Sequence, residues 1–127
     1  MPLLQTPLAR ARGKGSAHHG VGHWWAQRAT AVALVPLTVW FVISVIGLSG
    51  AGYYTVMDWL SAPGNAALLL LLVGFVLYHA TLGLQVVLED YVRCRMARTV
   101  SVLAVKGLAL LLAALAAVSI LKVAFGG

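Results

Sequence analysis

Three long apolar runs separated by short polar stretches set the pattern of this chain. The first, ATAVALVPLTVWFVISVIGL, lies in a segment from about His23 or Trp24 to Leu48. The second, Ala66–Leu88, is 23 residues without Asp, Glu, Lys or Arg. The third runs from about Val100 to Phe125. Each is long enough to cross a hydrocarbon core of roughly 30 Å as a helix. The pattern predicts an all-α membrane protein with spanning helices over about 24–48, 66–90 and 100–125.

The connecting stretches are short. Residues 1–22 are basic, rich in Gly and Ala, and lack the continuous apolar core of a secretory signal, so they read as a retained polar arm before a membrane domain over 23–127. Pro36 removes one backbone hydrogen bond inside the first helix and predicts a packing bend. Ser49–Asn65 carries Gly50, Gly52, Pro63 and Gly64 and is expected to be a loop, with an interfacial turn at Met57–Leu60. Its Tyr53, Tyr54 and Trp59 suit the membrane–water boundary. Val92–Thr99 is expected to be a second, basic loop. Ala109, Ala113 and Ala117 recur every four residues on the third helix, a small-residue stripe where another helix can approach.

Composition sharpens this picture. The 127 residues are 61% hydrophobic and 9% charged, against about 25% charged in a soluble domain. The net charge of +6 does not indicate nucleic acid, because the basic residues sit at the ends of apolar runs. Arg10, Arg12, Lys14, Arg28, Arg93, Arg95, Arg98 and Lys106 fall on one side and Lys122 alone on the other. Eight against one places the N-terminus in the cytoplasm. Cys94 is the only cysteine, so neither an internal disulfide nor a cysteine cluster for zinc or iron–sulfur is available.

His79 is the residue in the wrong solvent. It lies roughly 20 Å from one end of the second run and 14 Å from the other, at about 1.5 Å per residue. An imidazole there needs partners for its nitrogens. Gly83, Val86 and Asp90 fall within roughly 40° of it around the helix. Gly83, one turn on, leaves room for a flat ligand, and haem is a flat ligand that histidine commonly holds. The alternative is a histidine bonded to a neighbouring Ser, Thr or carbonyl. His18, His19 and His23 belong near the membrane surface, so two-histidine ligation requires a histidine from another polypeptide.

Other candidates lie at the basic side. Arg28 is either a snorkelling cation or a fork for a carboxylate such as a propionate. Glu89 and Asp90 end the second helix, where its dipole disfavours anions, and Arg93 is spaced to offset them. Tyr91 is either an interfacial belt residue or a phenol that donates a hydrogen bond to a lipid-soluble carbonyl.

The run His79-Ala-Thr-Leu-Gly-Leu-Gln-Val-Val-Leu-Glu-Asp-Tyr-Val92 resembles the second helix of the hydrophobic membrane anchor subunits of succinate dehydrogenase (respiratory complex II). His23-Trp-Trp-Ala-Gln-Arg-Ala-Thr-Ala31 resembles the start of that family's first helix. The resemblance implies a multi-pass subunit of a bacterial cytoplasmic (inner) membrane, paired with a second, SdhC-like three-helix anchor around haem b. It implies that the pair holds an iron–sulfur subunit and a flavoprotein subunit on the cytoplasmic face. By the same resemblance His79 is a haem axial ligand, Tyr91 bonds ubiquinone, Asp90 is the acid beside it, and Arg28 lies near the haem and quinone pocket. Some relatives carry an acid where this chain has Trp24.

The reading is a non-catalytic subunit of succinate:quinone oxidoreductase, embedded in lipid and unable to oxidise succinate alone. The rivals are a haem-free structural tether and a small transporter subunit relaying protons through His79 and Asp90.

Overall fold

The computed structural model describes residues 6–8 and 19–126. Within 19–126 the chain forms four helices: α1 (His19–Gly47), α2 (Tyr53–Ser61), α3 (Pro63–Tyr91) and α4 (Arg95–Ala124). α1, α3 and α4 are long and apolar enough to cross a membrane, as the three runs predict. No strand occurs among the described residues.

The boundaries differ from the sequence expectation in three main places, and α3 also starts at Pro63, inside the expected loop, rather than near residue 66. α1 begins at His19, inside the segment expected to be polar arm. Extending a formed helix costs far less than starting one, so Gly20 and Gly22 are carried along despite their poor propensity. Apart from residues 6–8, the arm before His19 lies outside the described residues. α4 begins at Arg95, which shortens the basic loop to Val92–Cys94. Arg95, Met96, Ala97 and Arg98 are good helix formers, and the extended Val92 and Cys94 suffice to reverse the chain.

The third difference is α2, a nine-residue helix where a loop with one turn was expected. Gly50, at φ +81°, makes the turn after α1 in a conformation that favours glycine. Extended Ala62 separates α2 from α3, whose first residue is Pro63, where a missing N–H costs nothing. The Asn65 side-chain amide donates to the Trp59 carbonyl (2.9 Å), satisfying an end group of α2.

α1 continues unbroken through Pro36. α3 is the centre of the bundle. α1 and α4 each pack on it, while α2 packs on α3 and α4. The buried apolar residues Ala66, Leu69, Leu72 and Leu82 all belong to α3. Ala109 and Ala113 of the small-residue stripe face a groove shared with Gly74 and Leu77 of α3. Most other large apolar side chains are exposed, such as Val32 and Leu110. Lipid tails are as apolar as these side chains, so nothing drives them inward in a membrane.

Candidate functional site

Where α1 crosses α3, a polar cluster interrupts the apolar packing. Thr30 is 4% exposed and is the one buried polar residue among those described. Its hydroxyl donates back to the Ala26 carbonyl (2.7 Å), with the Gln27 carbonyl at 3.1 Å. Such back-bonding spends the hydroxyl proton within the helix's own turn. On the other side, Thr30 Oγ1 lies 2.9 Å from His79 Nδ1 of α3. The hydrogen-bonded alternative for His79 is therefore realised at Nδ1.

The other nitrogen is held less firmly. Gln27 Nε2 approaches His79 Nε2 at 3.5 Å, beyond the usual range of a good N–H bond. Gln27 Oε1 is buried without a hydrogen-bond partner, as is His23 Nε2. Beside the imidazole runs a groove of about 420 Å³ lined by Ala31, Leu34, Val35, Thr38 and Val39. The site thus offers a half-buried imidazole with one anchored nitrogen, one weakly occupied nitrogen, and an adjoining apolar groove. It is a one-ligand site: no group of three or more His, Cys, Asp or Glu forms among the described residues.

Gly83 faces the same crossing. A methyl group there would meet Gln27 Nε2 at 3.9 Å, an ordinary contact. The space beside Gly83 is thus bounded by the Gln27 side chain from α1.

The remaining candidates lie apart from His79. Arg28 is exposed, with its guanidinium 5.5 Å from the centroid of the Trp24 ring. It follows Gln27 by one residue and so points about 100° away from it around α1. Asp90 and Tyr91 are exposed at the end of α3, Tyr91 by 80%. They stand roughly 17–18 Å from His79 along the helix, at about 1.5 Å per residue. Glu89 accepts a hydrogen bond from Gln85 Nε2 (2.8 Å), so Gln85 rather than Arg93 is its partner. The candidates form two places on one helix, a mid-span imidazole and a polar end.

Sequence reasoning missed Thr30 and Gln27. A signal was present. His23, Gln27 and Thr30 stand at i, i+4 and i+7, a polar line along one face of an apolar helix. Such a line must meet polar partners, and His79 lies at the matching depth of α3.

Comparison with known proteins agrees with this architecture. Residues 2–121 match the family described as succinate dehydrogenase/fumarate reductase transmembrane subunit. The chain is 36% identical over 103 residues to the succinate dehydrogenase hydrophobic membrane anchor subunit of Rickettsia bellii, covering 81% of this chain and 82% of that one. It is 36% identical over 90 residues to the Rickettsia conorii protein of the same name, covering 70% and 71%. It is 35% identical over 86 residues to that of Paracoccus denitrificans, covering 68% and 67%. No solved structure matches the chain. A family match along nearly the whole chain, joined to three helices long and apolar enough to cross a membrane, makes this chain a member of the succinate dehydrogenase/fumarate reductase transmembrane subunit family, a membrane anchor of succinate dehydrogenase.

Proposed function

We propose that this anchor holds haem b through His79 and forms one side of a ubiquinone-reducing site with Asp90 and Tyr91. The chain then belongs to a succinate:quinone oxidoreductase that joins the citric acid cycle to the respiratory chain. It lies in a bacterial cytoplasmic membrane with the arginine-bearing helix ends facing the cytoplasm. Its partners are a second three-helix anchor, an iron–sulfur subunit and a flavoprotein subunit. A second histidine ligand would have to come from the partner anchor, because the three spans of this chain contain only one histidine at mid-depth.

The observation that carries this reading is the unequal treatment of the two His79 nitrogens. Nδ1 is fixed at 2.9 Å by Thr30, while Nε2 has only the 3.5 Å contact from Gln27. Metal-bound histidines commonly have the second nitrogen anchored in this way. The groove beside His79, aliphatic except for Thr38, suits the face of a flat, apolar macrocycle, so the residues fit the group. Haem b supplies reversible one-electron chemistry when bound.

The protein's own work is positioning. α1 and α3 hold the imidazole plane through Thr30. Gly83 keeps a side chain off the α3 surface one turn beyond His79. Arg28, exposed and able to swing from Trp24, offers a fork for a carboxylate such as a propionate. At the polar end, the Tyr91 hydroxyl donates a hydrogen bond to a quinone carbonyl. The Asp90 carboxylate beside it accepts one from a neighbouring donor and so orders the site.

A second reading has its own support. Thr30 and Gln27 contact both His79 nitrogens from within the chain, as a haem-free tether would require. Reduced-minus-oxidised spectra of the purified complex decide between them. We expect a b-type band in the wild type and its loss, or a shift to high spin, in His79→Ala. An unchanged low-spin band and haem content in that variant would remove His79 as a ligand. Absence of any b-type band from the intact wild-type complex would favour the tether.

A further inference from the structure

We propose that Thr30 is a positioning residue for His79: its hydroxyl oxygen accepts the Nδ1–H bond, which leaves Nε2 as the nitrogen that binds iron and makes the imidazole a stronger donor to it. The inference rests on the haem reading above and adds to it a residue, a direction of hydrogen bonding and a measurable consequence.

The direction follows from counting protons. A threonine hydroxyl has one proton and two lone pairs. The shortest of the three contacts around Thr30 Oγ1 is the 2.7 Å bond to the Ala26 carbonyl, which only accepts. With the proton committed there, Oγ1 presents a lone pair to His79 Nδ1 at 2.9 Å, and Nδ1 must carry the hydrogen. A neutral imidazole protonated at Nδ1 has its free lone pair at Nε2. The neighbour of Nε2 agrees with this assignment. Gln27 presents an amide nitrogen there, a donor facing a lone pair. Gln27 leaves its own Oε1 buried without a partner, so this weak contact is readily given up.

The setting makes the bond matter. Thr30 is buried at the α1–α3 crossing, where water does not compete for Nδ1. An acceptor on the far nitrogen raises the basicity of a ligating histidine and fixes its ring orientation. A more basic ligand favours ferric over ferrous iron. The back-bond to Ala26 supplies the rest of the device, because it prevents the hydroxyl from rotating to donate toward Nδ1.

The test uses the complete purified complex with its partner subunits and a series at position 30: Ser, Cys and Val. Serine keeps the acceptor, cysteine weakens it at similar size, and valine removes it while keeping the shape. The readouts are haem content, low-spin electron paramagnetic resonance of the ferric haem, and the oxidised-to-reduced ratio at a fixed ambient potential. In Thr30→Val we expect that ratio to fall about three- to tenfold, the effect of losing one ordinary hydrogen bond. Thr30→Ser should match the wild type and Thr30→Cys should lie between. Val equal to wild type, or Ser shifted as far as Val, would overturn the inference. If Val does not assemble, the pair Ser and Cys decides: a fall in the ratio for Cys relative to Ser supports the proposal and equality overturns it. His79→Ala in the same complex separates the two levels of the argument. An intact low-spin signal there defeats the ligand reading itself. A lost signal with an unresponsive position-30 series defeats only the role of Thr30.

Discussion

The indole of Trp40 in α1 stacks on that of Trp59 in α2, with centroids 5.6 Å apart and planes 20° from parallel. This contact joins the loop helix to the end of α1 remote from the arginine-rich side. α2 otherwise packs only on α3 and α4. An aromatic pair adds about 0.5–1.5 kcal/mol beyond its buried area. Trp59→Ala is expected to lower stability by roughly 1–2 kcal/mol, measured by unfolding of the detergent-solubilised complex in dodecyl sulfate, and Trp59→Phe by less. Equal stability of Trp59→Ala and wild type would show that the stack contributes nothing to holding α2.

The spans were legible because each is a long apolar run, and in lipid a backbone in such a run must pair with itself. α2 was legible only as a turn. Its length is short, its residues are mixed, and Gly50, Gly52 and Pro63 around it carry breaker signals that hide a helix between them. His79 stood out because an imidazole in an apolar run has no local partner. Its actual partner, Thr30, lies 49 positions earlier in another helix. Nothing in local pattern joins two such positions; only the line His23, Gln27, Thr30 hinted that α1 has a polar face. The tautomer was not legible at all, because it depends on the hydroxyl proton being spent on Ala26.

The charge asymmetry gives a topology that can be read directly. Eight basic residues lie on the side of the N-terminus and the α3–α4 loop, and only Lys122 lies on the other. Reporter fusions after Asp58, in α2, and after Gly127 are expected to behave as periplasmic. A cytoplasmic signal from the Asp58 fusion would invert the orientation and move Tyr91 to the wrong side for soluble electron-donating partners.

Gly83 has a size limit set by Gln27. A methyl group there meets Gln27 Nε2 at 3.9 Å, a comfortable distance, but a longer side chain must push the amide aside. Gly83→Ala is therefore expected to assemble with normal haem content. Gly83→Leu should displace Gln27 and crowd the His79 face, lowering haem per complex at least twofold by pyridine haemochrome assay. Full haem content in Gly83→Leu would show that the ligand does not use this face of α3.

Tyr91 is 80% exposed at the end of α3, with Asp90 beside it, and so is free to meet a partner or a quinone. Tyr91→Phe keeps the ring and removes only the hydroxyl. Losing a hydrogen bond to a neutral carbonyl costs about 0.5–1.5 kcal/mol, and more where the bond strengthens as the carbonyl oxygen gains charge during reduction. Succinate-to-quinone turnover is therefore expected to fall severalfold or more. Succinate oxidation with a soluble artificial acceptor should stay near the wild-type rate, because that path does not use the end of α3. Both assays on one purified preparation separate loss of the phenol from loss of assembly. Unchanged quinone reduction in an intact Tyr91→Phe complex would make Tyr91 an interfacial anchor and leave the quinone to the partner chains.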